Sequence, residues 1–314
     1  MQSRTPILEI KNLGVSFTRY TGLLSRGHLD VITDLSLSVH PGEIVAVIGA
    51  SGSGKSLLAH TILGILPHNA TVRGQLVYDN TPLTPQRAAA LRGHEIVLVP
   101  QGVTYLDPLM KVGGQLAQGK TDAETTGRVS EILSMFGLRD RTKDLYPFQL
   151  SGGMARRVLI ASAAMEHPRL VVADEPTPGL HMEAAQRVMG HFRELAKGGA
   201  GILMITHDLE LAIATADRIV VFYAGVTVED APACNFRSAS TLRHPYTRAL
   251  YRALPGNGFV AAPGTHPYPG TIEHGCPYAP CCTDASPACA GPVPYRKAGQ
   301  GYVRCVLQGG FPDA

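Results

Sequence analysis
The run Ile44-Val45-Ala46-Val47-Ile48 leads straight into Gly49-Ala50-Ser51-Gly52-Ser53-Gly54-Lys55-Ser56. A short, apolar, β-branched stretch of this kind suits a strand buried on both faces of a parallel sheet. The eight residues after it fit the phosphate-loop pattern G-x-x-x-x-G-K-[ST]. The stretch from Ser56 and Leu57 to Leu63 reads as the next helix. Gly49, Gly52 and Gly54 permit a tight loop whose backbone N–H groups point at phosphate oxygens. The start of the helix adds a partial positive charge. In such a loop Lys55 reaches the β- and γ-phosphates and Ser56 ligates Mg²⁺. A Gly/Ser-rich surface loop is the bland alternative, and the strand–loop–helix context argues against it.

At 314 residues the chain has room for one large domain and a small one, or for two. Hydrophobic residues make up 45% and charged residues 17%, the balance of a globular protein. A net charge of +3 is too small to argue for nucleic acid. No apolar run approaches the roughly 18 residues of a transmembrane helix. The start, Met1-Gln2-Ser3-Arg4-Thr5-Pro6, lacks the apolar core of a signal peptide. The expectation is a cytosolic chain, with any membrane-spanning helices supplied by other subunits.

Strand character recurs at 7–10, 14–17 and 35–39, with 18–30 read as a polar loop between them. It returns at 76–78, 95–99, 170–173, 201–205 and 218–222. From about 102 to 165 the pattern is helical: Val129, Ile132, Leu133 and Phe136 form one stripe, and Gly137 stands at the C-cap position. After about 232 the composition turns to Pro, Gly, Cys and His with little periodicity, which reads as an appended region outside the core sheet.

Asp174 and Glu175 come directly after the apolar run 170–173. A phosphoryl-transfer site needs one carboxylate for the Mg²⁺ shell and another to polarise water. His207, after 201–205, and Gln101, after 95–99, stand at strand ends, where ligands of open α/β sheets gather. Leu150-Ser151-Gly152-Gly153-Met154 puts small residues ahead of the helical stretch 154–166, so that a helix N-terminus can approach an anion closely.

These elements, in this order, resemble the ATP-binding cassette family over roughly residues 7–230. The resemblance implies a P-loop NTPase fold: a mainly parallel sheet, N-terminal antiparallel strands and an inserted α-helical subdomain. Residues 1–231 would form the nucleotide-binding domain, with the helical subdomain at about 102–165, and 232–314 a Cys-rich C-terminal extension. ATP and Mg²⁺ are the implied cofactors and ATP hydrolysis the implied activity. The loop residues 49–57 would hold the phosphates, Ser56, Gln101 and Asp174 would hold Mg²⁺, Glu175 would be the general base and His207 would contact the γ-phosphate. Ser151, Gly152 and Gly153 match the LSGGQ-type signature, with Met154 in place of Gln, and would complete an ATP site on a second subunit. Phe17 aligns with the aromatic residue that stacks on adenine, Tyr20 being its rival. Two departures stand out. Pro178-Gly179-Leu180-His181 replaces the usual S-A-L-D, putting the link between two ATP sites in doubt, and Gln101 is not followed directly by Asp-Pro.

His244-Pro245-Tyr246-Thr247-Arg248-Ala249-Leu250 resembles the HPYTxxL stretch of the dipeptide, oligopeptide and nickel importer ATPases. Five of the six cysteines lie from 276 onward; Cys234 is the outlier. In a cytosolic chain such clustering argues for metal before disulfide. By resemblance Cys276, Cys282, Cys289 and Cys305 match an importer pattern, with Cys281 where arginine is usual. A [4Fe–4S] cluster is implied, a Cys₄ zinc site is the alternative, and the spacing alone leaves the metal open.

The expected protein is the ATPase subunit of an importer of peptides or of nickel or a metal chelate, peripheral on the cytoplasmic face of the inner membrane. Its implied partners are two membrane-spanning permease subunits, a second, non-identical ATPase subunit and an extracytoplasmic solute-binding protein, with no nucleic acid. The alternatives are a soluble cassette ATPase acting on nucleic acid or ribosomes, and a weakly hydrolysing regulatory subunit. By resemblance, the cassette itself does not touch the solute.

Overall fold
The computed structural model describes residues 5–20, 26–50, 52–180, 182–264, 267–271 and 274–307. Ser51 and His181, both singled out above, lie outside the described residues. The chain opens with β1 (Leu8–Tyr20), β2 (Arg26–Val39), β3 (Ile44–Gly49), α1 (Lys55–Ile62), β4 (Ala70–Tyr78), β5 (Thr81–Pro82), α2 (Pro85–Leu91) and β6 (Ile96–Val99). A helical stretch comes next: α3 (Val112–Leu116), α4 (Ala123–Met135) and α5 (Gly152–Ala164). Then come β7 (Leu170–Asp174), α6 (Met182–Lys197), β8 (Gly201–Thr206), α7 (Leu209–Thr215), β9 (Arg218–Tyr223), β10 (Val226–Pro232), α8 (Pro245–Arg252), β11 (Tyr295–Ala298) and β12 (Gly301–Arg304).

Among the described residues the strands run in the order β5-β4-β1-β2-β10-β9-β3-β8-β7-β6. β9, β3, β8, β7 and β6 are mutually parallel, and β1 pairs antiparallel with β2 and β4. The alternation of β3 explains its central place. Ile44, Ala46 and Ile48 enter one core, which also holds α5 and α6 residues. Val45 and Val47 enter the other, under α1 and the antiparallel strands. Burying each Val or Ile contributes about 1.5–3 kcal/mol, so the central strand anchors both layers. α4 ends as its sequence suggests: Gly137 adopts φ 66°, and the Leu138 N–H donates to the Leu133 carbonyl at 2.8 Å.

Two expectations need correction. The stretch 18–30 is not all loop: β1 continues to Tyr20 and β2 starts at Arg26, with Thr18 opposite His28 and Arg19 opposite Gly27. Main-chain pairing satisfies the backbone there without an apolar face. Second, the C-terminal segment is not an appendage apart from the sheet. β12 pairs antiparallel with β10, Glu229 opposite Val303 and Asp230 opposite Tyr302. β2 meets β10 only at Asp34–Val226, so β12 enters where those two strands part. Arg304 sits at that fork, bonding Asp34 Oδ2 at 2.8 Å and the Thr227 carbonyl at 3.1 Å. Cys276, Cys289, Tyr246 and Val293 belong to the same core as β3. A separate Cys-rich extension is therefore not what the fold contains; Cys276 and Cys289 are part of its main core, with Cys281 and Cys282 packed against it.

Candidate nucleotide site
The loop between β3 and α1 is set by glycine. Gly52 and Gly54 have φ of 78° and 96°, a region that only glycine enters without strain. Gly49 is tight for another reason: a Cβ there would stand 2.3 Å from the Phe222 carbonyl oxygen. Lys55 folds back over the loop, its Nζ donating to the Gly49 carbonyl at 2.8 Å and the Ala50 carbonyl at 2.9 Å. Burial pulls the Lys55 ammonium below its ordinary pKa, opposed by the Glu175 and Asp174 charges. Burial pushes the Asp174 carboxyl up, a hydrogen bond with Ser56 pulls it down, and the Glu175 charge raises it again.

Gly52, Gly54, Lys55, Ser56, Leu57, Gln101, Glu175 and His207 line one cavity of about 440 Å³. Glu175 takes φ 49° at the end of β7, and its Oε1 accepts a hydrogen bond from His207 Nδ1 at 2.8 Å. A carboxylate only accepts, so Nδ1 carries the proton. Glu175 Oε2, Asp174 Oδ1 and Ser53 Oγ are buried without a hydrogen-bond partner. Buried polar atoms are costly to leave unpaired, so their gathering at a phosphate loop suits a polyanion carrying a divalent cation.

The structure thus brings Lys55, Ser56, Gln101, Glu175 and His207 together, with Asp174 bonded to Ser56 beside them. Phe17 is elsewhere: it stands in β1 opposite Leu29 and Ala70, packs against the second core, and is not among the lining residues. Ser151, Gly152 and Gly153 also lie outside the cavity lining. Ser151 N-caps α5, accepting the Met154 N–H at 3.3 Å, and Ser151 and Gly152 are exposed. Sequence reasoning passed over Arg156, on the next turn of α5. It is 3% exposed, and its signal is a charged residue one step from Ala155 on the helix's apolar face.

The tail comes close to this site. Tyr246, in α8, is fully buried, stacks obliquely on Tyr223 at 4.2 Å, and its hydroxyl lies against the Ala50 backbone. Glu229 accepts the Arg243 and His244 N–H groups at 2.8 Å each, and His244 Nδ1 accepts the Tyr246 N–H at 3.1 Å. His244 is buried and its pKa pushed down to about 3, so the ring is neutral with its proton on Nε2, 3.8 Å from Cys276 Sγ. Cys276, Cys282, Cys289 and Cys305 line one closed cavity of about 10 Å³ with His244. Yet among the described residues no three His, Cys, Asp or Glu side chains converge to hold a metal ion. The expected cluster or zinc site is therefore not present as a formed ligand set. Burial pushes the Cys276 thiol up to about 11.

Two family models match the chain: "ABC transporter" over residues 32–178 and "Oligopeptide/dipeptide transporter, C-terminal region" over 228–289. The chain is 32% identical to the oligopeptide transport ATP-binding protein OppD of Escherichia coli K12, covering 98% of this chain and 94% of that protein. It is equally similar, at 32%, to OppD of Salmonella typhimurium, over 98% and 95% of the two chains. Among solved structures, the dimeric post-hydrolysis state of the cassette MJ0796 bound to ADP and Pi matches with a TM-score of 0.62 and 27% identity. That match covers 72% of this chain and 98% of that one. Nickel transport, expected alongside peptide transport, finds no support in these similarities. Nor do the alternatives of a nucleic-acid or ribosome ATPase or a weakly hydrolysing regulator.

Proposed function
Because the chain belongs to the ATP-binding cassette transporter ATPases, with the C-terminal region of their oligopeptide/dipeptide branch, we propose that it hydrolyses ATP to power peptide import. The observation that carries this reading is the convergence of Lys55, Ser56, Gln101, Glu175 and His207 on one cavity. The loop N–H groups and Lys55 bind the β- and γ-phosphates. Ser56, Asp174 and Gln101 would hold Mg²⁺, which would supply positive charge to the phosphates. His207 fixes Glu175 through Oε1, leaving the unpaired Oε2 to take the proton of the attacking water.

The partners accord with the same reading. Ser151 and Gly152 are exposed and Gly153 half-buried, all away from their own cavity, which suits completion of a site on a second ATPase subunit, non-identical given the Pro178–His181 departure. Tyr105 and Leu109, just past Gln101, are 57% and 87% exposed. An apolar patch beside a site residue suits docking of the membrane permease pair, so the subunit works at the cytoplasmic face of the membrane, with an extracytoplasmic solute-binding protein delivering peptide. No described helix is long and apolar enough to cross a membrane. We keep residues 1–231 as the nucleotide-binding unit, its helical part at about 102–165, and 232–314 as the C-terminal unit.

We also propose a [4Fe–4S] cluster at Cys276, Cys282, Cys289 and Cys305. The four cysteines border one cavity of about 10 Å³ and have the right chemistry, but they are not gathered as a ligand set, so binding would have to draw them together; His244 Nε2–H is placed to donate to Cys276 Sγ. An absorbance spectrum and iron analysis of anaerobically purified protein test this; protein lacking both iron and visible absorbance counts against it. For the main reading, the chain is reconstituted with its permease and solute-binding partners in vesicles. ATP hydrolysis stimulated by peptide supports the reading, and peptide uptake without ATP turnover by this chain would sink it.

A further inference from the structure
Arg156 joins two segments that the sheet leaves separate. The β6–β7 ladder ends at Val99–Ala173, so these two strands are not paired with each other beyond it, although β8 still holds Asp174 and Glu175. On one strand Pro100 and Gln101 come next, on the other Asp174, Glu175 and Pro176. The Arg156 Nε donates to the Pro176 carbonyl at 3.1 Å. One Nη donates to the Pro100 carbonyl at 2.9 Å and also to the Gln101 carbonyl. The other Nη is buried without a partner. Burial lowers the guanidinium's pKa, and the Asp174 and Glu175 charges oppose that shift.

We infer that Arg156 is a positioning residue for hydrolysis: it fastens the Gln101 backbone to the backbone after Glu175, so that movement of α5 sets their spacing. This rests on the hydrolytic reading above. Arg156 does not line the nucleotide cavity; it acts through Gln101 and Glu175, which do. The rigid fork of a guanidinium can reach carbonyls on two segments at once, whereas an ammonium presents a single point. α5 also begins at Ser151–Gly153, so the helix that would meet a second subunit carries the tether for this site. Contact at that end then reaches Gln101 and Glu175 through one side chain.

The test compares wild type, R156K and R156Q in the assembled transporter, reading kcat, KM for ATP, affinity for a fluorescent ATP analogue and melting temperature. Misplacement of reacting groups by about 1 Å costs on the order of 100-fold. The expectation is therefore a kcat about 10- to 100-fold lower in both variants, with KM and analogue affinity within about two-fold. Wild-type kcat in R156K overturns the inference. So does a parallel decline of kcat, affinity and melting temperature, or failure of both variants to fold, since these mark a purely structural role. If wild type itself hydrolyses no ATP, the hydrolytic reading fails with it; wild-type turnover beside an unaffected R156K sinks only the tether.

Discussion

The edge of the sheet near Lys55 and the C-terminal segment around Glu229 handle polar groups in opposite ways. At the edge, Glu175 Oε2 is buried and unpaired at a cavity of about 440 Å³, and so are Ser53 Oγ and Asp174 Oδ1 on residues next in sequence to its lining. In the C-terminal segment Glu229 takes two backbone N–H groups and His244 a third, beside a cavity of about 10 Å³. The first region holds its polar groups ready for a ligand; the second pairs Glu229 and His244 within the chain, although Asp230 Oδ1 beside them stays unpaired. They meet at Tyr246, whose hydroxyl lies against the Ala50 backbone.

Substitutions should separate the two. The largest effect is expected for E175Q, which removes the proton acceptor: kcat should fall about 10²- to 10⁴-fold, with ATP binding kept and a nucleotide-bound dimer accumulating. Steady-state turnover and gel filtration with Mg-ATP check this; near-normal turnover would move the base elsewhere. Next comes R218M, in the structural frame. Arg218 bonds Glu43 at 2.8 Å and buried Asp230 at 2.5 Å, so its loss strands two carboxylates and should cost about 3–5 kcal/mol. Chemical denaturation measures it, and ATP affinity should not change.

K55M should weaken ATP binding about 10- to 100-fold, the worth of charge-assisted bonds of about 1.5–3 kcal/mol, and leave the melting temperature alone. Equilibrium binding and thermal scans decide; a lower melting temperature at unchanged affinity would erase the contrast. The smallest effect is pH-dependent. Burial raises the Glu43 carboxyl, but Arg218 and His40 bring it net below its ordinary value of 4.5. Its folded-state pKa being depressed, the stabilisation is present above 4.5 and disappears as pH falls through the lower folded value. E43Q should therefore be about 1 kcal/mol less stable at pH 7 and approach wild type once pH falls below the lowered folded value. A gap unchanged by acid would remove the ion pair as its cause.

How much of this was legible in the sequence depended on distance along the chain. β3, its loop and α1 declare themselves within twenty residues, because a β-branched run and fixed glycines act locally. Glu175 and His207 were legible as strand ends, and neighbouring strands β7 and β8 bring them to 2.8 Å. Arg156 was not: its three acceptors lie on segments 20 and about 55 residues away. β12 was hidden by brevity, since four residues with only Val303 and Gly301 buried carry too little alternation to read. Phe17 stands at a suggestive position in the sequence, but in the fold it lies partly buried against the second core and outside the cavity lining.

The late pairing of β12 with β10 bears on how the protein is made. As the chain leaves the ribosome, β10 is complete about seventy residues before its partner at Glu229 and Asp230 emerges. Until then the fork between β2 and β10 exposes an unpaired strand edge, the kind of surface that recruits other chains. A message truncated before Gly301 would therefore yield a protein with an intact phosphate loop and a permanently open seam. Its failure would show as aggregation during synthesis, at a distance from any residue that handles ATP.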